Sequence, residues 1–338
     1  MQELKELVFR LCKAGGTPGD ESAAAAAAAQ EFPGCAETHT DALGNLLAVM
    51  GDPKSKNHIL LDAHLDQIGL VVTRIEKNGF LRADRCGGTD QRILPGTAVT
   101  VCGKEELHGI VCCMPPHLTG GDRDKVPAPD KMAVDIGLSR EEAEKRVQPG
   151  DRILFRTEPK SLLGTRITAP GLDDRSSVAA LIRCAQLLTE KPPRCRVTFL
   201  CSTREEVGGQ GAVTGAYGAD PSQAIAVDVG FAAQPGVEPE KCGKLGGGPM
   251  IGYAPVLNRG ISEKLVLLAE KSKMPYKRDV MGEDTGTNSD DIAATRSGVP
   301  TGLVSIPLRY MHTPAEVVDL QDVENTARLL AAYIREAE

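Results

Sequence analysis

Two adjacent aspartates, Asp173 and Asp174, stand between a Pro-Gly turn and a long apolar helix pattern. A single carboxylate at this place would cap the helix and complement its dipole. A second carboxylate crowded beside the first repels it unless a cation holds both. The doublet therefore indicates either an ordinary helix start or a cation site, and partners elsewhere in the chain must decide between them.

Residues able to bind a metal ion follow the apolar strand patterns, at or just past the carboxyl end of each strand. They are His64 and Asp66, Glu205 and Glu206, Asp228 and, somewhat further on, His312. In open α/β sheets, ligands bind outside the carboxyl ends of the strands. We therefore expect these side chains to meet Asp173 along one edge of the sheet. Histidine and carboxylate donors without a thiolate suit zinc, cobalt or manganese.

Each of these residues also has an ordinary structural interpretation. His64 alone would be a hydrogen-bonded, partly buried histidine, Asp228 a strand-end cap and His312 a loop histidine. The spacing of His64 and Asp66 favours a functional role, because alternate residues of an extended segment face the same side. The carboxylate can then accept the second imidazole N–H and fix its tautomer. The ordered set is a stronger signal than any of its members.

Apolar periodicity predicts alternating strands and helices on both sides of a different central region. Helices are expected at 3–12, at 23–29 with Ser22 as the N-cap, at 262–272 and at 319–336; strands at 41–50, 58–66, 196–202, 224–227 and 302–306. Between about 69 and 165, short β-type runs alternate with turns, a polar, Pro-rich loop at 115–130 and a helix capped by Ser139. The pattern predicts an α/β domain at 1–66 and 166–338, with a β-rich domain inserted at 67–165.

The composition limits the functional classes. The chain of 338 residues carries a net charge of −7, which argues against a nucleic-acid-binding surface. No apolar run reaches membrane-spanning length, and the N-terminus is unlike a secretory signal. Ten scattered cysteines without a CxxC pair indicate reduced thiols. These features predict a cytoplasmic protein without nucleic-acid or membrane partners.

Stretches along nearly the whole chain resemble the tetrahedral, self-compartmentalising metallo-aminopeptidases. This family contains glutamyl, leucyl and lysyl aminopeptidases, and its members have often been labelled as cellulases. The stretches are AHLDQIGLVV, VCCMPPH, MAVDIGLSREEAEKRVQPGD, PGLDDR, STREEVGGQGA, AVDVG and SIPLRYMHTPAE. The resemblance implies a mixed-sheet α/β catalytic domain and an inserted domain that contributes to assembly. It also implies a homo-oligomer, in which dimers assemble into a hollow dodecamer.

The resemblance further implies two divalent metal ions, zinc first and otherwise cobalt or manganese. The ligands would be Asp173 as the bridge, His64 and Asp228 in one site, and Glu206 and His312 in the other. Asp66 would orient His64, Glu205 would be the general base, and the Asp173–Asp174 peptide would be cis. Gln67 departs from the acidic residue of many relatives but removes no ligand. The segment 286–291 is either a substrate-proximal loop or a helix N-terminus.

These roles predict the removal of N-terminal residues from short peptides. A carboxylate that bridges two cations ~3.5–4 Å apart lets both hold one water, and Glu205 can accept its proton. A metal-dependent deacylase or amidase could use the same cluster. A glycoside hydrolase would need two carboxyl groups ~5–9.5 Å apart but no histidines, and aromatic residues make up only 3% of the chain. A non-catalytic metal scaffold would not need Glu205.

Overall fold

The computed structural model of the protein describes residues 1–118 and 132–337. Its strands form two sheets, one open and one closed into a barrel. Most of the Pro-rich loop predicted at 115–130 lies outside the described residues. No helix within the described ranges combines the length and apolarity needed to cross a membrane.

Strands outnumber helices along the described parts of the chain. The strands are β1 Glu37–Thr40, β2 Leu46–Gly51, β3 His58–His64, β4 Gly69–Ile75, β5 Leu81–Cys86, β6 Ala98–Cys102, β7 Glu106–Val111, β8 Ala133–Asp135, β9 Arg152–Phe155, β10 Lys160–Ser161, β11 Arg166–Ala169, β12 Arg196–Ser202, β13 Gln223–Phe231, β14 Met250–Tyr253, β15 Lys277–Val280, β16 Thr301–Arg309 and β17 Glu316–Asp319. The helices are α1 Gln2–Lys13, α2 Ser22–Glu31, α3 Arg140–Arg146, α4 Leu172–Leu188, α5 Gln210–Ala219, α6 Arg259–Lys271, α7 Asn288–Ala294 and α8 Leu320–Glu336.

The open sheet has 11 strands, mainly in the order β1-β2-β12-β3-β13-β16-β17-β11-β10, with β14 and β15 branching from β16. Its four central strands, β12, β3, β13 and β16, run parallel to one another. Their pairings with β2, β14 and β17 are antiparallel, so the sheet is mixed. Because the central strands are parallel, their carboxyl ends lie at one edge, which we call the catalytic edge. The predicted mixed-sheet α/β fold is confirmed.

Helices cover both faces of this sheet, which is why every residue of β3 is buried. Alternate residues of β3 point to opposite faces. Ile59 and Leu61 belong to the core cluster that includes the apolar face of α4, whereas Leu60 packs in a separate cluster with the alanines of α5. The helix α4 itself packs against α1, α8 and β3. This double cover gives β3 a fixed position at the centre of the catalytic edge.

The barrel is antiparallel and closes in the order β4-β5-β8-β7-β6-β9. Its interior is apolar, with Leu70, Leu81 and Val101 fully buried. The helix α3 begins after Ser139, which is its N-cap as predicted, and Ser139 and Glu142 make both hydrogen bonds of a capping box. The barrel strands lie between Gly69 and Phe155, inside the region predicted as an insertion, while the domain boundaries themselves stay a prediction.

Two local predictions were wrong, and the strand β1 was not predicted. The strand predicted at 224–227 extends to Phe231, so Asp228 lies within β13. The strand continues because β13 pairs with β16 as far as Phe231, whereas the pairing of β13 with β3 ends at Ala226. Ser22 is the first residue of α2, and Glu21 occupies the N-cap position. The strand β1 was missed because the side chains of Glu37–Thr40 are all exposed and carry no apolar alternation.

Candidate metal centre

His64 is the last residue of β3 and is 1% exposed. Its Nδ1 lies 2.9 Å from the main-chain oxygen of Asp66, and its Nε2 lies 3.1 Å from Oδ1 of Asp173. When Nδ1 donates its proton to that carbonyl oxygen, the Nε2 lone pair is available to a cation. A ring fixed in this way by its other nitrogen is typical of metal-binding histidines.

Asp173 enters the catalytic edge from the turn between β11 and α4. The turn starts at Gly171 with φ of 68°, where a Cβ would lie 2.1 Å from the side-chain oxygen of Gln67. The Asp173–Asp174 peptide is cis, and neither residue has helical dihedral angles, although both lie within the bounds of α4. The resemblance had implied this cis peptide. The turn directs the Asp173 carboxylate between two histidines.

His312 lies in the turn between β16 and β17, on the more open side of the cluster. Its Nδ1 is 3.1 Å from the main-chain oxygen of Gly88, a residue that follows β5 of the barrel. Its Nε2 is 3.3 Å from both Oδ2 of Asp173 and Oε1 of Glu206. The two oxygens of Asp173 therefore face two different histidines, which is the geometry that a bridging carboxylate requires.

Glu205 and Glu206 follow β12 in a short 3-10 helix, Glu205–Val207. Their main-chain N–H groups donate to the two carboxylate oxygens of Asp66, at 3.0 Å each. The preceding N–H, of Arg204, donates to Oε1 of Glu21 at 3.1 Å. Two buried carboxylates thus fix the main chain on which the predicted general base stands.

The role predicted for Asp66 differs in one respect. Its carboxylate does lie beside the imidazole, with Oδ1 at 3.5 Å from Nδ1 of His64. The shorter contact, at 2.9 Å, comes from its main-chain oxygen. Both the main chain and the carboxylate of Asp66 therefore lie against the ring of His64, and the carboxylate also holds the main-chain N–H groups of Glu205 and Glu206.

Two groups of side chains within the described residues could each hold a metal ion, with donor atoms within 4.8 Å of one another. They are His64, Asp173 and Glu206, and His64, Asp174 and Asp228. Sequence reasoning gave Asp174 no ligand role, although the doublet was visible. One oxygen of Asp174 accepts the main-chain N–H of His64 at 3.1 Å, and its other oxygen has no hydrogen-bond partner. All seven predicted site residues lie in or beside these groups.

The cluster concentrates negative charge in a buried place. Burial raises the pKa of Glu205 to about 7, with His64 opposing and Glu206 adding to the shift. Burial also raises the pKa of Asp174 and of Asp228 well above the ordinary value. Burial acts in the same direction on Asp173, but hydrogen bonds from the two histidines outweigh it and lower its pKa. Carboxylates in such a setting stay ionised only next to positive charge, which divalent cations supply.

The same carboxylates act on the histidines. Burial disfavours the imidazolium of His312, yet Asp173 and Glu206 raise its pKa to about 11. His64 behaves similarly, since the contacts to Asp173 and Asp66 outweigh its burial and raise its pKa. Both rings therefore lie in fields that attract cations. The nitrogen and oxygen donors fit zinc, cobalt or manganese.

Sequence reasoning missed one further buried carboxylate. Glu316 accepts the main-chain N–H of Asp173 at 3.1 Å and that of His312 at 2.9 Å. It stands four residues after His312, in a stretch without a helical or strand period that would single it out. The segment 286–291 contains a helix N-terminus, where Thr287 caps α7 through the N–H of Ser289.

A cluster of nitrogen and oxygen donors next to a carboxylate with a pKa of about 7 is the arrangement of a metal-dependent hydrolase. The chain belongs to the M42 glutamyl aminopeptidase family, whose profile matches residues 44–329. It is thus a metal-dependent aminopeptidase, and the family predicted from the sequence is confirmed.

Similar proteins agree with this assignment. The lysyl aminopeptidase of Pyrococcus furiosus is 34% identical over 89% of this chain and 87% of its own length. The aminopeptidase APDkam598 of Desulfurococcus kamchatkensis superimposes with a TM-score of 0.92 at 33% identity, covering 99% of this chain and 95% of that one. The TET1 peptidase of Pyrococcus horikoshii, which assembles into a tetrahedron or a large octahedral shell, has a TM-score of 0.87 at 31% identity, covering 98% and 99%.

Proposed function

We propose that the chain removes N-terminal residues from short peptides with two divalent metal ions, zinc first and cobalt or manganese as the alternatives. The observation that carries this proposal is the carboxylate of Asp173, whose two oxygens face His64 and His312. One ion would be held by His64, Asp228 and Asp173. The other would be held by Glu206, His312 and Asp173.

When bound, the ions supply Lewis-acid polarisation of the peptide carbonyl and lower the pKa of a water toward neutrality. Glu205 accepts a proton from the water that attacks the carbonyl carbon, and donates it to the leaving amine as the C–N bond breaks. The burial of Glu205 favours its protonated form, which supports a role for this side chain in carrying the proton. Asp66 keeps Glu205 in position through the main-chain N–H. The free α-amino group of a peptide would also bind one of the ions, which favours cleavage at the N-terminus.

We propose that the chain forms a homo-oligomer in which dimers assemble into a dodecamer. The similarity to the TET1 peptidase supports this. The division into a catalytic domain at 1–66 and 166–338 and an inserted assembly domain at 67–165 is part of the same proposal, supported by the separate closed barrel. Ten free cysteines support a cytoplasmic location, and the net charge of −7 supports the lack of a nucleic-acid partner.

A panel of short peptides, each with a free and an acetylated N-terminus, tests the activity. Each peptide is incubated with enzyme as purified, after chelation, and after adding back zinc, cobalt or manganese. The proposal predicts stepwise loss of free N-terminal residues, abolished by chelation and restored by metal. Cleavage restricted to acetylated peptides would identify a deacylase. Metal content measured before and after chelation counts the ions, and sedimentation of the same samples tests the dodecamer.

A further inference from the structure

Glu316 is a buried glutamate, 1% exposed, that belongs to neither group of candidate metal ligands. Its Oε2 accepts the main-chain N–H of Asp173, and its Oε1 accepts that of His312. Each oxygen thus binds the backbone of a different candidate ligand. A buried carboxylate is tolerated when its oxygens are used in this way, because charge-assisted hydrogen bonds offset part of its lost hydration.

The position of Glu316 in the sheet explains how it reaches both residues. It is the first residue of β17, which pairs with β11 on one side and with β16 on the other. Asp173 stands in the turn after β11, and His312 stands in the turn after β16, with a left-handed φ of 60°. These turns come from distant parts of the chain. Glu316 is a side chain that joins them directly, behind the atoms that face the metal centre.

The two halves of the centre depend on Glu316 to different degrees. The half made of Asp173, Glu206 and His312 has two of its three members held by it. In the other half, made of His64, Asp228 and the shared Asp173, Glu316 holds only Asp173. His64 is held independently, its main-chain N–H by Asp174 and its ring by the main chain of Asp66. Loss of Glu316 should therefore affect one metal site more than the other.

We propose that Glu316 is a positioning residue that sets the separation of Asp173 and His312, and thereby builds the metal site on the His312 side. The inference rests on the proposed two-metal function. It assigns Glu316 no contact with substrate, and it predicts a selective effect on the affinity for one of two ions.

The test compares Glu316→Gln with a matched control, Asp322→Asn. Asp322 is another buried carboxylate with two main-chain partners, the N–H groups of Gly246 and Gly248, each at 2.7 Å. It lies on α8 and outside the candidate ligand groups. Each variant keeps the shape of the side chain and exchanges one acceptor oxygen for an NH2 group. Both variants lose an acceptor for main-chain N–H groups, but only Glu316 accepts from residues of the metal centre.

Three measurements are made on each full-length protein. Zinc binding is followed by equilibrium dialysis and metal analysis, the cobalt-loaded form by its visible absorption spectrum, and peptide hydrolysis by separate kcat and KM values. For Glu316→Gln we expect one of the two equivalents of zinc to lose about 10–100-fold in affinity, and the other to lose clearly less. The cobalt spectrum should change, and kcat should fall about 10–100-fold with little change in KM. Asp322→Asn should keep wild-type metal affinities and spectrum.

Two results would overturn the inference. One is wild-type affinity for both zinc equivalents in Glu316→Gln, and the other is an equal loss of zinc in Asp322→Asn. If Glu316→Gln does not fold, Glu316→Asp retains both oxygens on a shorter side chain and should show the same selective loss. A wild-type protein that binds fewer than two ions would instead contradict the proposed function itself.

Discussion

The catalytic edge of the open sheet and the interior of the barrel are equally buried, but the edge buries charged side chains and the barrel buries apolar ones. At the catalytic edge, buried side chains include Asp62, His64, Asp66, Asp173 and Asp174. In the described part of the barrel region, from Gly69 to Phe155, the buried polar side chain is that of Thr89, and the rest of the buried set is apolar apart from glycine. Burial of charged side chains at the edge is unfavourable for the stability of the fold, but it creates the metal centre. The barrel carries no such cost, so mutations in the two regions should have opposite effects on activity and stability.

The largest effect should come from the edge. Glu205→Gln removes the proposed proton acceptor while keeping the shape of the side chain, and kcat should fall about 10²–10⁴-fold. Stability should not fall with it, because burial and neighbouring carboxylates already raise the pKa of Glu205 to about 7, which means that its charge is unfavourable in the fold. Steady-state kinetics and thermal unfolding measure the two quantities. A marked fall in the unfolding temperature of Glu205→Gln would mean that Glu205 also stabilises the fold, which would contradict the proposed difference between the catalytic edge and the barrel.

A barrel-core truncation should show the reverse. Leu81 is fully buried in β5, opposite Val134 of β8, and Leu81→Ala leaves a cavity in an apolar interior. We expect the free energy of unfolding to fall by about 2–5 kcal/mol. The kcat of the molecules that remain folded should stay close to that of the wild type. Denaturant unfolding and active-site-normalised kinetics test this, and a large drop in kcat would mean that the barrel core also shapes the centre.

The catalytic edge also divides into what the sequence could predict and what it could not. His64, Glu206 and His312 are visible because each follows an apolar strand or lies in a stretch that resembles the family. The partners of Glu21, Asp66 and Glu316 are main-chain N–H groups, which every residue but proline carries and no sequence pattern marks. Their contacts join segments far apart in the chain. The closure of the barrel could not be predicted from the sequence either. The alternation of apolar and polar residues indicates a short strand, but it does not indicate which strands pair with it.

Gly88 follows β5 of the barrel and contacts His312 of the metal centre. A mutation at Gly88 should therefore affect activity, although the residue belongs to the barrel region. It has no left-handed φ, but a Cβ would lie 2.7 Å from Nδ1 and 2.8 Å from Cε1 of the His312 ring. Gly88→Ala should displace that ring and weaken its contact with the Gly88 carbonyl oxygen, lowering kcat and zinc affinity about 10–100-fold. Gly34→Ala is the control, since its Cβ would meet open space. Unchanged zinc affinity in Gly88→Ala would show that His312 tolerates the displacement.

The smallest effect tests whether charge in the barrel region behaves differently from charge at the edge. Hydrogen bonds from Ser139 lower the pKa of the exposed Glu142, in contrast to the raised pKa of the buried Glu205. Ser139→Ala removes the side-chain cap of α3 and should lower the free energy of unfolding by about 1 kcal/mol, with kcat unchanged. A carboxylate with a lowered pKa stabilises the fold above its ordinary pKa, about 4.3, and less as the pH falls. The difference between the two proteins should therefore shrink on acidification, and a difference that grows would show that the cap does not act through the ionised Glu142.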